Sequence, residues 1–112
     1  MLDLSRLQEA FEDDAAGIAD LLEMALETGR KHRASLEAGL AAGDASVVAR
    51  AAHGIKGSAG TIGANAVYGL AAELDARARR GELDGARERV DAIAAGYARV
   101  AEEVRAYRAS LT

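Results

Sequence analysis

His53 is the residue of this 112-residue chain best placed to do chemistry. At about 100° per residue, Val48, Ala51, Ile55, Ala59 and Ile62 gather within about 80° of one helix face, and His53 falls nearly opposite. Ala49, Arg50, Lys56, Gly57 and Gly60 lie within about 60° of it on the side turned to solvent. A neutral imidazole is a good nucleophile, and histidine's ordinary pKa of about 6.5 leaves much of it neutral near pH 7. Lys56, three residues on, puts a mobile ammonium on the same side, suited to a phosphoryl group. Gly54, Gly57 and Gly60 each cost roughly 0.8–1 kcal/mol against alanine inside a helix, so their clustering needs a reason other than folding. A glycine at i+4 removes the side chain that would crowd a group carried on the ring. The local chemistry is that of an exposed histidine that can be phosphorylated.

Other chemistries fail on context. A P-loop needs Gly-Lys-Ser after a strand, whereas the order here is Lys56-Gly57-Ser58 inside a helical pattern. Gly54-Ile55-Lys56-Gly57 resembles a nucleotide-clamping tetrad, but the strands of that fold are missing. Two histidines without ligand-spaced carboxylates make no metal site. No second catalytic group marks an autonomous hydrolase.

The elements that must position His53 are helices separated by glycine and aspartate. A short segment carrying Leu4, Leu7, Ala10 and Phe11 ends near Asp13, with Phe11 read as a plug for the end of the bundle. Asp14 caps a long second helix running to about residue 42, and Gly43-Asp44 closes it and caps a third. The third runs to about Ile62, the fourth from about Asn65 to Arg80, and the fifth from about Asp84 to Leu111. Stripes such as Val67, Leu70, Ala71, Leu74 and Val90, Ile93, Tyr97, Val100, Val104 predict seams, with the Tyr97 and Tyr107 hydroxyls at the rim. His32 falls on the seam of the second helix. The expected fold is all-α: an antiparallel up-down four-helix bundle with a short extra N-terminal helix, forming one domain over residues 1–112.

Composition agrees. There are 28 alanines, no proline and no cysteine, which favours helix and excludes disulfides and thiolate chemistry. No apolar run spans a membrane and no secretory signal is visible, so the expected location is cytoplasmic. The net charge is −4, and Glu9, Glu12, Asp13, Asp14, Asp20, Glu23 and Glu27 follow one another with no intervening base. That surface repels nucleic acid and anionic lipid. Arg77, Arg79 and Arg80 read as a solvated helix end favourable to the helix dipole.

The stretch Ala52-His53-Gly54-Ile55-Lys56-Gly57-Ser58-Ala59-Gly60-Thr61-Ile62-Gly63-Ala64 resembles the signature of the histidine-containing phosphotransfer (HPt) domains of multistep phosphorelays. The likeness extends over the whole chain; the main departure is Gly54, where the family usually has a larger residue. The resemblance implies a carrier that takes a phosphoryl group from a receiver-domain phosphoaspartate and passes it to an aspartate of a response regulator. His53 is then the phosphoacceptor, through Nε2, Lys56 stabilises phosphate charge, Gly57 gives clearance and Ser58 either bonds the backbone or supports the site. At Asp75 the family often has Glu or Gln, which orients the imidazole; the side chain here is one methylene shorter. The implied partners are receiver domains of hybrid kinases and response regulators, meeting Leu7, Ala10, Gly17, Leu21, Met24, Arg50 and Gly60. Magnesium comes from the receiver, no cofactor is bound by this chain, and the domain is expected to be a monomer without kinase activity. The alternative is a helical docking module that binds receivers or a kinase without carrying phosphate.

Overall fold

The computed structural model describes residues 2–112. It contains five helices: α1 (Ser5–Ala10), α2 (Ala15–Ala42), α3 (Ala45–Thr61), α4 (Asn65–Arg79) and α5 (Ala86–Ala109). The last four pack in a ring in which each lies against its chain neighbours and α5 closes back on α2. This is the expected antiparallel bundle, 45 Å long and 21 × 18 Å across.

The helix boundaries follow from caps legible in the chain. The Asp14 carboxylate accepts the Gly17 N–H at 3.1 Å, and Asp44 accepts from Val47 at 3.2 Å. Each satisfies an amide that the first turn of a helix leaves unpaired. Gly43, at φ +65°, closes α2, and its N–H and that of Asp44 bond to Leu40 and Gly39. The fifth helix starts two residues later than the sequence suggests, because Gly85 at φ +73° turns the chain before Ala86.

The core runs along the bundle through Ile18, Leu22, Leu36, Val48, Ile55, Ile62, Leu74 and Ile93. Many remaining buried positions are alanines, among them Ala49, Ala52 and Ala59 of α3 and Ala71 and Ala78 of α4. Small residues on both sides of a seam let the two backbones approach.

Two aromatic expectations are corrected. Phe11 is 37% exposed and does not plug the bundle end; Leu7, 7% exposed, turns inward there instead. Glu12 and Asp13 adopt left-handed backbone (φ 51° and 62°), a reversal that holds Phe11 outside, over Gly17. Tyr97 is wholly buried, hydroxyl included, and not at the rim. Gly29 of α2 makes this possible: a Cβ there would collide with the Tyr97 ring. The N-terminal segment is pinned by another glycine. The Asp3 N–H bonds to the Gly63 carbonyl at 3.0 Å, and Gly63 (φ +70°) has no room for a Cβ beneath Asp3.

Candidate functional site

Helices α3 and α4 run antiparallel, so His53 stands level with Asp75 and Gly60 level with Tyr68. His53 projects from the bundle with its side chain 59% exposed. Asp75 is the buried polar residue of the α3–α4 seam, its side chain 6% exposed, and its Oδ2 lies 3.3 Å from His53 Nδ1. The close approach across alanines lets the short aspartate reach the ring. Arg79, one turn on, donates from Nε to Asp75 Oδ1 at 2.6 Å and brings a second nitrogen to 3.4 Å from His53 Nδ1.

These three groups decide the tautomer. A guanidinium only donates and a carboxylate only accepts, so Nδ1 can serve one neighbour properly. If Nδ1 accepted from Arg79, the buried Asp75 Oδ2 would be left without a donor, which is costly. Nδ1–H therefore donates to Asp75, and the lone pair sits on Nε2, facing solvent. Burial alone would raise the Asp75 carboxyl; the hydrogen bonds from Arg79 and His53 and the Arg79 charge outweigh it and hold it below its usual range. The carboxylate is ionised at neutral pH, and the site is a nucleophilic imidazole backed by a fixed negative charge.

The surroundings of the ring divide by helix face. Lys56 is half-buried and makes no ion pair among the described residues, leaving its ammonium available. A Cβ on Gly57 would meet nothing within 4 Å, so this glycine is open space beside His53. Gly60 is overlaid by the Tyr68 ring, 3.4 Å from where its Cβ would stand. Ser58 turns toward the seam, where its side chain faces the Tyr97 hydroxyl outside hydrogen-bond geometry. Burial pushes the Tyr97 phenol up, against the opposing Arg33 charge; that guanidinium lies 4.7 Å from the ring centroid.

Gly54 has its own explanation. A Cβ there would stand 2.5, 2.6 and 2.9 Å from three atoms of the His32 ring. The imidazole of α2 fills the space that a side chain after His53 would take. His32 is thus the partly buried seam histidine expected from its stripe.

The candidate docking residues do not all face outward. Ala10, Arg50 and Met24 (65%) are exposed, while Gly17, Leu21 and Gly60 are half-buried. Leu7 is corrected from a surface candidate to a core residue, because the inward face of α1 packs it under α2. Arg79 is the site residue that sequence reading missed. The arginines at the end of α4 are not simply solvated: Arg77 pairs with Glu73 and Glu82, Arg80 with Glu82, and Arg79 with Asp75. The i, i+4 spacing of Asp75 and Arg79 was the available signal. Among the described residues, no group of three His, Asp or Glu side chains is placed to hold a metal ion.

Comparison with known proteins gives this geometry a context. The pattern of the Hpt domain matches residues 20–105, most of the chain. The chain belongs to the Hpt domain family. Its fold is similar to the crystal structure of histidine-containing phosphotransfer protein B from Pseudomonas aeruginosa PAO1, with a TM-score of 0.88 and 33% identity over 97% of this chain and 95% of that one. No protein of curated function matches it. An Hpt domain is a phosphocarrier of phosphorelays, working with receiver domains, and histidine phosphotransfer is the function of this chain. No helix among the described residues is long and apolar enough to cross a membrane.

Proposed function

We propose that His53 Nε2 is the atom that carries the phosphoryl group. The observation that carries this reading is the Nδ1–Asp75 contact, which leaves the exposed nitrogen with the lone pair. The lone pair attacks the phosphorus of a receiver's acyl phosphate. The bond from phosphorus to the aspartyl oxygen breaks as the bond to Nε2 forms, and the free carboxylate leaves with the electron pair. Nδ1 keeps its proton throughout, and the Asp75 carboxylate offsets the positive charge that spreads over the ring. Transfer to a response-regulator aspartate is the same step reversed.

Each neighbour has a role in this reading. Lys56 meets the phosphoryl oxygens, Gly57 gives the receiver clearance, and Asp75 orients the ring. Arg79 is a positioning residue acting through Asp75. Ser58 acts only through the seam beside Tyr97. Ala10, Gly17, Leu21, Met24, Arg50 and Gly60 form the surface for receivers of hybrid kinases and response regulators. Magnesium arrives with the receiver, and the domain works as a monomer without nucleotide or kinase activity of its own.

The test is transfer from a phosphorylated receiver, with magnesium, to wild type and to His53→Gln. Acid-labile, alkali-stable label on wild type and none on the variant supports the reading. A folded wild type that binds receivers yet takes no label would make it a docking module instead.

A further inference from the structure

Between the first half of α3 and the end of α4 lies an open groove of about 560 Å³, lined by Ala45, Ser46, Ala49, Arg50, His53, Ala78, Arg79 and Gly81. His53 forms one edge of it. Apart from Arg50, His53 and Arg79 its lining is alanine, serine and glycine, with no large apolar side chain. Arginines flank it on both helices. Arg50 is exposed and pairs with no carboxylate among the described residues, whereas Arg79 is held by Asp75. Phosphoryl chemistry at Nε2 does not account for Arg50.

The charge of the rest of the molecule gives the groove its meaning. Gly39 of α2 meets Val47, and His32 meets Gly54, so earlier residues of α2 lie progressively beyond His53. Asp20 and Glu23, which share Arg108, Glu27, which pairs with Arg30, and the exposed Met24 therefore sit toward the opposite end of the bundle from the groove. His53 stands between an acidic, partly apolar region and a basic hollow.

Resting on the reading that a receiver must reach His53, we infer that this groove receives an acidic segment of that receiver, with Arg50 as its charge contact. Two things favour a macromolecular segment: the groove is open to solvent, and it adjoins the residue that a receiver must approach. Complementary charge at the edge of an interface acts chiefly on the rate of encounter and its dependence on salt.

The experiment uses one receiver domain, phosphorylated with acetyl phosphate in magnesium. It is used unaltered and with the carboxylates around its phosphoaspartate, metal ligands excepted, changed to amides. Transfer to the full chain is followed at low and raised salt for wild type, Arg50→Ala, Ser46→Glu and Arg105→Ala. Arg105, exposed on α5, controls for net charge. The expected result is a loss of about fivefold for Arg50→Ala at low salt, a similar or larger loss for Ser46→Glu, and little change for Arg105→Ala. Salt should narrow the gap, and the amide receiver should abolish it. Equal rates for Arg50→Ala and wild type overturn the inference. So does a loss that persists with the amide receiver, or one matched by Arg105→Ala. A wild type that takes no label on His53 overturns the underlying reading, and that result is recognisable on its own.

Discussion

At the scale of single residues, one buried carboxylate decides which nitrogen of His53 is free. Asp75 and Arg79 both approach Nδ1, one as acceptor and one as donor. Removing the acceptor leaves only the donor, which favours the Nε2–H tautomer and takes the lone pair from the exposed nitrogen. Asp75→Ala is therefore expected to slow phosphoryl transfer about tenfold, the effect of roughly 1.4 kcal/mol on the barrier. Long-range ¹H–¹⁵N spectra of the imidazole should show Nδ1–H in wild type and a shift toward Nε2–H in the variant. An unchanged tautomer would separate Asp75 from this role. His53, Lys56 and Gly57 were legible in the sequence because helical phase alone places them on the outward face. Arg79 was not, since its contact with His53 depends on the register between two helices. Leu7 and Phe11 exchanged places for a local reason: consecutive left-handed residues at Glu12 and Asp13 are not encoded by a glycine.

At the scale of helices, the three glycines of α3 solve different problems. Gly54 makes room for His32, while Gly57 faces open space. The same substitution should therefore have opposite effects at the two positions. Gly57→Ala is expected to raise stability by about 0.8–1 kcal/mol through helix propensity while slowing transfer from a receiver. Gly54→Ala should destabilise, because the new methyl strikes the imidazole, and His32→Ala should restore the loss. Urea unfolding of the three variants checks both statements. A stabilised Gly54→Ala would show that His32 is free to swing away. The sequence showed that three glycines so close together required a cause, but assigned them one cause. Separating them required knowing which residue of α2 lies across from Gly54. The boundaries of α2 to α5 were readable to within two residues, because Asp14, Asp44, Gly43 and Gly63 carry their caps and turns in their own chemistry, whereas α1 stops three residues short of Asp13.

For the whole molecule, stability should fall at both ends of the pH scale for identifiable reasons. Asp75 titrates below its ordinary value of 3.8 in the folded state, so the unfolded chain binds more protons as acid is added. Its contribution is fully present above that ordinary value and is lost as pH falls through the lower folded value. Tyr97 titrates above its ordinary value of 10.0, because burial favours the neutral phenol. Its contribution is present below pH 10.0 and is lost as pH rises through the higher folded value. Urea midpoints across pH should fall in acid less steeply for Asp75→Asn, and in alkali less steeply for Tyr97→Phe. Because the Tyr97 hydroxyl is buried without a hydrogen bond, Tyr97→Phe should also stabilise the bundle by about 1 kcal/mol near neutral pH. A strongly destabilised variant would show that Ser58 bonds the hydroxyl in solution. The bundle architecture was legible from apolar periodicity, but a tyrosine sunk against a glycine of a neighbouring helix was not.

In the proposed mechanism His53 Nε2 carries the phosphoryl group while Nδ1–H stays with Asp75. The most direct test is a long-range ¹H–¹⁵N and ³¹P spectrum of ¹⁵N-labelled protein phosphorylated by a receiver domain. The expected spectrum shows a single phosphohistidine at His53, phosphorus coupled to Nε2 and a proton retained on Nδ1. Phosphorus on Nδ1, or on any residue other than His53, would contradict it.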